Sequence, residues 1–178
     1  MQRVLRSAPT RNARKTLYKT GEGHRDQECC EMRWEWEHVD PDLGVNYFSI
    51  PAGFVKNKLP RIVVLNDIAR EVVEKVRGRH SEYVFPNSRN GRISQMSNRT
   101  WREARTRAAR KFPRLAKVSA HYLKHTFGER LRAADVPMED RKDLLGHKSG
   151  LSMTTHYSAP RLEKLIEYAN RVVPEPKF

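Results

Sequence analysis

Residues 45–65 constrain the fold most. Val45, Tyr47, Phe48 and Ile50 make one β-prone run, and the β-branched stretch RIVVL at 61–65 makes a second. Between them lies PAGFVKNKLP, a turn-rich tip, so the two runs read as an antiparallel hairpin. A turn signal, PDLG at 41–44, precedes it. Most of the flanking sequence has the helical period instead. Asn66 or Asp67 can cap a helix with Ile68, Val72, Val73 and Val76 on one face, closed by Gly78. YVF at 83–85 predicts a further short strand, and PNSRNGR a loop. Helices are expected over roughly 95–111 and from near Ser119 to Ala134, where Leu123, Phe127 and Leu131 fall at i, i+4 and i+8. Pro137 opens a short helix that ends before Gly146, and a last helix follows Pro160, with Leu162, Leu165, Ile166 and Tyr168 buried. Upstream, Cys29, Met32 and Trp36 lie close to helical spacing, which predicts a helix over 25–36. The expected architecture is α+β, a mostly helical domain with a small antiparallel β-sheet. At 178 residues this is one domain. It is expected over 21–172, after a basic N-terminal arm at 1–20 and before a C-terminal tail at 173–178.

The charge balance narrows the partner. Lys plus Arg number 35 against 21 Asp plus Glu, a net charge of +14. Such an excess seeks a polyanion, and double-stranded DNA is the first candidate. A membrane is disfavoured, because the chain has no long apolar run and no basic helix with a broad apolar face. The two cysteines, Cys29 and Cys30, are adjacent, a spacing that suits neither a structural disulfide nor a zinc site and fits a reducing cytoplasm.

Four segments carry candidate chemistry. In HYLKHT, His121, Lys124 and His125 fall within one helical turn and share a face, while Leu123 and Phe127 hold the neighbouring face to the core. Two ordinary helix histidines are the plainer reading, and a metal pair lacks the acidic base of H-E-x-x-H. In LLGH, Gly146 ends a helix and sets His147 at its C-terminal edge, where a histidine also serves simply as a dipole partner. Tyr157 sits in the polar stretch TTHY before a Pro-initiated helix. A partly buried tyrosine is the ordinary role there, and a nucleophilic one needs cations or a base nearby. In GHRDQE, Arg25 at a helix start is a poor cap but a good phosphate seat. Lys56 and Lys58 at the hairpin tip read by default as edge-protecting lysines.

Taken in order, these segments resemble the signature of the tyrosine recombinase (phage integrase) family. Its Gly-x-Arg box with a following Glu matches Gly23, Arg25 and Glu28, and its hairpin lysine matches Lys56. The His-x-Leu-Arg-His-Thr box resembles His121 to Thr126, the Leu-Leu-Gly-His box matches Leu144 to His147, and the terminal tyrosine matches Tyr157. The likeness covers roughly residues 22–170. It implies a DNA breaking-and-rejoining enzyme with no metal or nucleotide cofactor. The implied roles are Tyr157 as nucleophile, Arg25 on a non-bridging oxygen of the scissile phosphate, and Lys56 as general acid. His121 is implied in proton transfer, His147 in hydrogen bonding to the phosphate, and Glu28 in steadying the site without touching DNA. The likeness also implies a cytoplasmic protein, prokaryotic or phage-encoded. It is expected to be monomeric when free and tetrameric on paired DNA sites.

The sequence departs from the family pattern twice. Lys124 stands where the family carries a second arginine, keeping the charge but losing the planar fork that grips two phosphate oxygens. Losing one such hydrogen bond in the transition state costs about 1–3 kcal/mol, or roughly 5–150-fold in rate. The family's N-terminal clamp domain also has no counterpart ahead of Gly23, so the chain is expected to be a truncated or natively minimal catalytic domain. The competing readings are a non-catalytic DNA-binding or regulatory relic of an integrase, and a metal-dependent nuclease built on the histidines.

Overall fold

The structure, a computed structural model, describes residues 26–55, 58–93, 98–119, 121–147 and 159–172. The chain enters through helix α1 (Asp26–Glu31), a 3-10 turn (Trp34–Trp36) and strand β1 (Glu37–Val39). Strand β2 (Asn46–Ile50) and strand β3 (Arg61–Val64) follow, separated by a 3-10 turn at Ala52–Phe54. The remaining elements are helical: α2 (Asp67–Glu74), α3 (Asn98–Lys111), a 3-10 turn (Pro113–Lys117), α4 (His121–Ala133), α5 (Met138–Leu145) and α6 (Ala159–Arg171). This is the mostly helical domain with a small antiparallel sheet that the sequence pattern predicts.

The hairpin forms as expected, with Phe48 opposite Val63 and Ile50 opposite Arg61. A third strand, β1, joins its other edge and pairs Glu37 with Phe48. Alternation along the strands then divides the core in two. Phe48, Ile50 and Val63 face one cluster with Met32, Trp36, Leu65, Val72, Val73 and Phe85. Tyr47, Ile62 and Val64 face the other, with Phe127, Leu131, Leu144, Leu162 and Leu165. The sheet is thus covered on both sides, and α4, α5 and α6 make the second layer.

Local chemistry sets two of the helix ends. The Asn66 side chain accepts a hydrogen bond from the Ala69 amide at 2.9 Å, capping α2. Gly146 takes the left-handed conformation (φ 60°) and stops α5. One expectation is corrected. The helix predicted over 25–36 ends at Glu31. Beyond it the chain is drawn into β-type pairing, with Val84 N donating to Met32 O at 2.9 Å and Trp34 N donating to Glu82 O at 3.0 Å. Those bonds need an extended backbone, so helix propensity loses to a remote partner. Met32 and Trp36 are buried as their apolar spacing suggested, but from different local structure. The strand expected at 83–85 contributes only the bridge between Tyr83 and Arg33.

Candidate active site

Three of the candidate residues, Glu28, Lys124 and His147, lie about the C-terminal end of α5. A helix end leaves its last carbonyls without partners inside the helix. Gly146 N donates to Asp143 O at 3.0 Å and His147 N to Lys142 O at 2.9 Å, closing the turn. The next two carbonyls are met by cations from elsewhere in the fold. Lys124 Nζ donates to Leu145 O at 2.6 Å, and Arg61 Nη2 donates to Leu144 O at 3.2 Å. Positive groups at this end also complement the helix dipole. His147 emerges directly after the turn and is exposed.

Each arm is held by packing. In α4, Leu123, Phe127 and Leu131 are buried, which fixes the rotation of the helix and aims half-buried Lys124 at α5. Gly128 permits close approach: a Cβ there would already touch the Leu145 side chain at 3.4 Å. Arg61 opens β3 on the Val63 face and is only 4% exposed. Its Nη1 also pairs with Oε2 of Glu28, itself buried in α1. Arg161 in the first turns of α6 pairs with Asp140 at 3.1 Å and with Asp143, tying α6 to α5.

The structure therefore brings Glu28, Lys124 and His147 to one region, from α1, α4 and the end of α5. His121 opens α4, and only its backbone is among the described positions. Arg25, Lys56 and Tyr157 lie outside the described residues. The shared face expected for Lys124 and His125 divides: Lys124 turns to the α5 carbonyl, while exposed His125 lies edge-on to Tyr122 at 6.4 Å.

Two features escaped sequence reasoning. Arg61 is one. Its signal was an arginine at the first position of an otherwise apolar strand. The other is the surface of α3 and the turn after it. From 101 to 117 the chain carries seven cations (Arg102, Arg105, Arg107, Arg110, Lys111, Arg114 and Lys117) and one acid, Glu103. All but half-buried Arg105 are exposed among those cations. Trp101 Nε1 donates to Val118 O at 3.3 Å, tying the helix to the end of the turn that follows it.

A mostly helical domain around a three-stranded antiparallel sheet is the fold of tyrosine recombinase catalytic domains. The integrase of mycobacterium phage Brujita superposes with a TM-score of 0.65 at 19% identity, over 96% of this chain and 56% of that one. The XerH site-specific recombinase, solved bound to its difH substrate before cleavage, gives 0.61 at 18% identity, over 91% and 49%. In sequence, the tyrosine recombinase XerC of Thermodesulfovibrio yellowstonii is 29% identical over 164 residues, covering 87% of this chain and 52% of its own length. The chain thus spans about half the length of the relatives it matches. The chain belongs to the phage integrase family, whose profile matches residues 2–164.

Proposed function

We propose that the chain is the catalytic part of a site-specific DNA recombinase that cuts and rejoins strands through a 3′-phosphotyrosyl intermediate. The Tyr157 oxygen attacks the scissile phosphorus, its phenolic proton passing to a base for which His121 is the candidate. The bond from phosphorus to the 5′ oxygen breaks, and Lys56 gives that oxygen its proton, releasing a 5′-hydroxyl. The phosphate ester is exchanged and not hydrolysed, so a second strand's 5′-hydroxyl can reverse the step without an external energy source. Arg25, Lys124 and His147 stabilise the charge on the non-bridging oxygens in the transition state.

The observation that carries this reading is the convergence on the end of α5. Lys124 binds the Leu145 carbonyl two residues before His147. Glu28, three residues after Arg25, reaches the same turn through Arg61. Three of the residues matched to the family, Glu28, Lys124 and His147, thus lie about one helix end, which supports the reading. The exposed cations of α3 and its following turn are the proposed contact with DNA phosphates. On paired sites the protein is proposed to act as a tetramer.

The test is incubation with a nicked suicide duplex, followed by a denaturing gel and mass spectrometry. A covalent DNA adduct on Tyr157, absent from Tyr157→Phe, is the expected result. Adduct formation by Tyr157→Phe would refute the mechanism. The substitution of lysine at 124 favours one second reading, a DNA-binding relic of an integrase, which predicts salt-sensitive binding without any adduct. Cleavage abolished by EDTA would instead indicate a metal-dependent nuclease.

A further inference from the structure

We propose that Arg61 is a positioning residue that holds His147 in register with the α1 segment; this rests on the proposed role of His147 at the phosphate. Arg61 opens the RIVVL strand, but the family boxes give it no role. Its guanidinium nevertheless spans the distance between two of them. Nη1 pairs with Glu28 in α1, and Nη2 donates to the Leu144 carbonyl at 3.2 Å. The group lies directly under the helix-ending turn: a Cβ at Gly146 would stand 2.3 Å from Cζ and 2.5 Å from both Nε and Nη1.

Three features separate this contact from an ordinary structural ion pair. First, the pair is buried, with the Arg61 and Glu28 side chains 5% and 3% exposed. Buried ion pairs contribute little net stability relative to apolar replacements, so packing alone gives no reason for one here. Second, the geometry requires arginine. The planar fork reaches a carboxylate and a carbonyl at once, whereas an ammonium is a single compact charge. Third, the contact bridges separate elements. It joins β3, α1 and the end of α5, and the residue immediately after that turn is His147. The displacement of one carbonyl in a helix-ending turn re-aims the residue that follows it. Lys124 holds the adjacent carbonyl from α4, so Arg61 and Lys124 fix the turn from two directions.

The test is Arg61→Lys, which keeps the charge opposite Glu28 and loses the fork. Hydrogen exchange is read at the Gly146 and His147 amides, with Leu131 in the core of α4 as internal reference. Single-turnover cleavage of the suicide duplex is measured at saturating DNA. Exchange at the turn is expected to rise about tenfold over the reference, the effect of one charge-assisted hydrogen bond. Cleavage is expected to slow by about tenfold or more with the DNA Kd unchanged, since the binding surface is untouched. A Glu28→Gln, Arg61→Met double variant guards against misfolding, because it removes both buried charges together, and it should show the same two changes. Unchanged exchange at Gly146 and His147 overturns the proposal, whether or not the chain cleaves DNA. Faster exchange with an undiminished cleavage rate overturns it as well. If wild type forms no adduct, the reading of function fails on its own, and exchange at the turn still decides whether Arg61 holds it.

Discussion

Alanine at Gly146 meets two separate penalties that the structure allows to be told apart. Gly146 has φ +60°, and an L-residue in that left-handed region costs roughly 1–2 kcal/mol. The second penalty is steric. The new methyl would stand 2.3 Å from the Arg61 guanidinium carbon, far inside van der Waals contact. The Arg61 side chain is flexible, but the buried Glu28 carboxylate and the Leu144 carbonyl hold its end, so moving aside weakens or breaks both contacts. Breaking a buried ion pair outright costs about 3–5 kcal/mol, so Gly146→Ala should lose up to roughly 4–7 kcal/mol in all. For a domain of this size that corresponds to a fall in Tm of roughly 8–28 °C. Gly44 supplies the control. It has φ +62° and nothing within 4 Å of a built Cβ, so Gly44→Ala carries the backbone penalty alone. The assay is urea unfolding of Gly44→Ala, Gly146→Ala, Arg61→Met, and the Gly146→Ala, Arg61→Met double variant. In the Arg61→Met background the added cost of Gly146→Ala should shrink toward the Gly44→Ala value, because the group it strikes is gone. Equal losses for Gly146→Ala and Gly44→Ala in the wild-type background would refute the steric argument.

Three further outcomes are expected. Lys124→Arg should not raise the single-turnover cleavage rate, because the packing of α4 against α5 seats an ammonium on Leu145 O at 2.6 Å; a gain of about fivefold or more would contradict this. Replacing exposed Arg107 and Arg114 together by Gln should leave the circular dichroism spectrum intact and flatten the plot of log Kd against log salt by up to about 1.8, and an unchanged slope would remove α3 and its turn from the DNA interface. Burial pushes the Glu37 carboxyl upward, but hydrogen bonds from Arg77 and Asn46 outweigh it and hold the pKa below 4.5. A carboxylate depressed on folding contributes stability above its unfolded pKa and loses it as pH falls through the folded one. Melting curves taken downward from pH 4.5 should therefore show wild type losing more stability than Glu37→Gln, and parallel losses would count against the Arg77 contact.

Much of the domain was legible because local rules wrote it. Two β-prone runs on either side of a turn-rich tip identified the β2–β3 hairpin. Apolar spacing found the face of α4 that buries Leu123, Phe127 and Leu131, and terminal signals placed Asn66 and Gly146. Each depends on residues a few positions apart, so a linear reading suffices. The order of the family boxes was equally visible, since order is a property of the chain.

Tertiary structure decided what depends on distant partners. The helix predicted to reach residue 36 stops at Glu31 because residues 82 and 84 claim the backbone at 32 and 34. Strand β1 exists because β2 offers it an edge. Arg61 looked like the polar first residue of a strand, yet it is buried against Glu28, 33 residues away, and Leu144, 83 residues away. Gly146 shows both levels at once. Its role in ending α5 follows from φ/ψ sterics that any helix end shares. Its need to remain free of a side chain against Arg61 arises only after β3 and α5 have packed, because excluded volume between remote segments has no trace in local sequence.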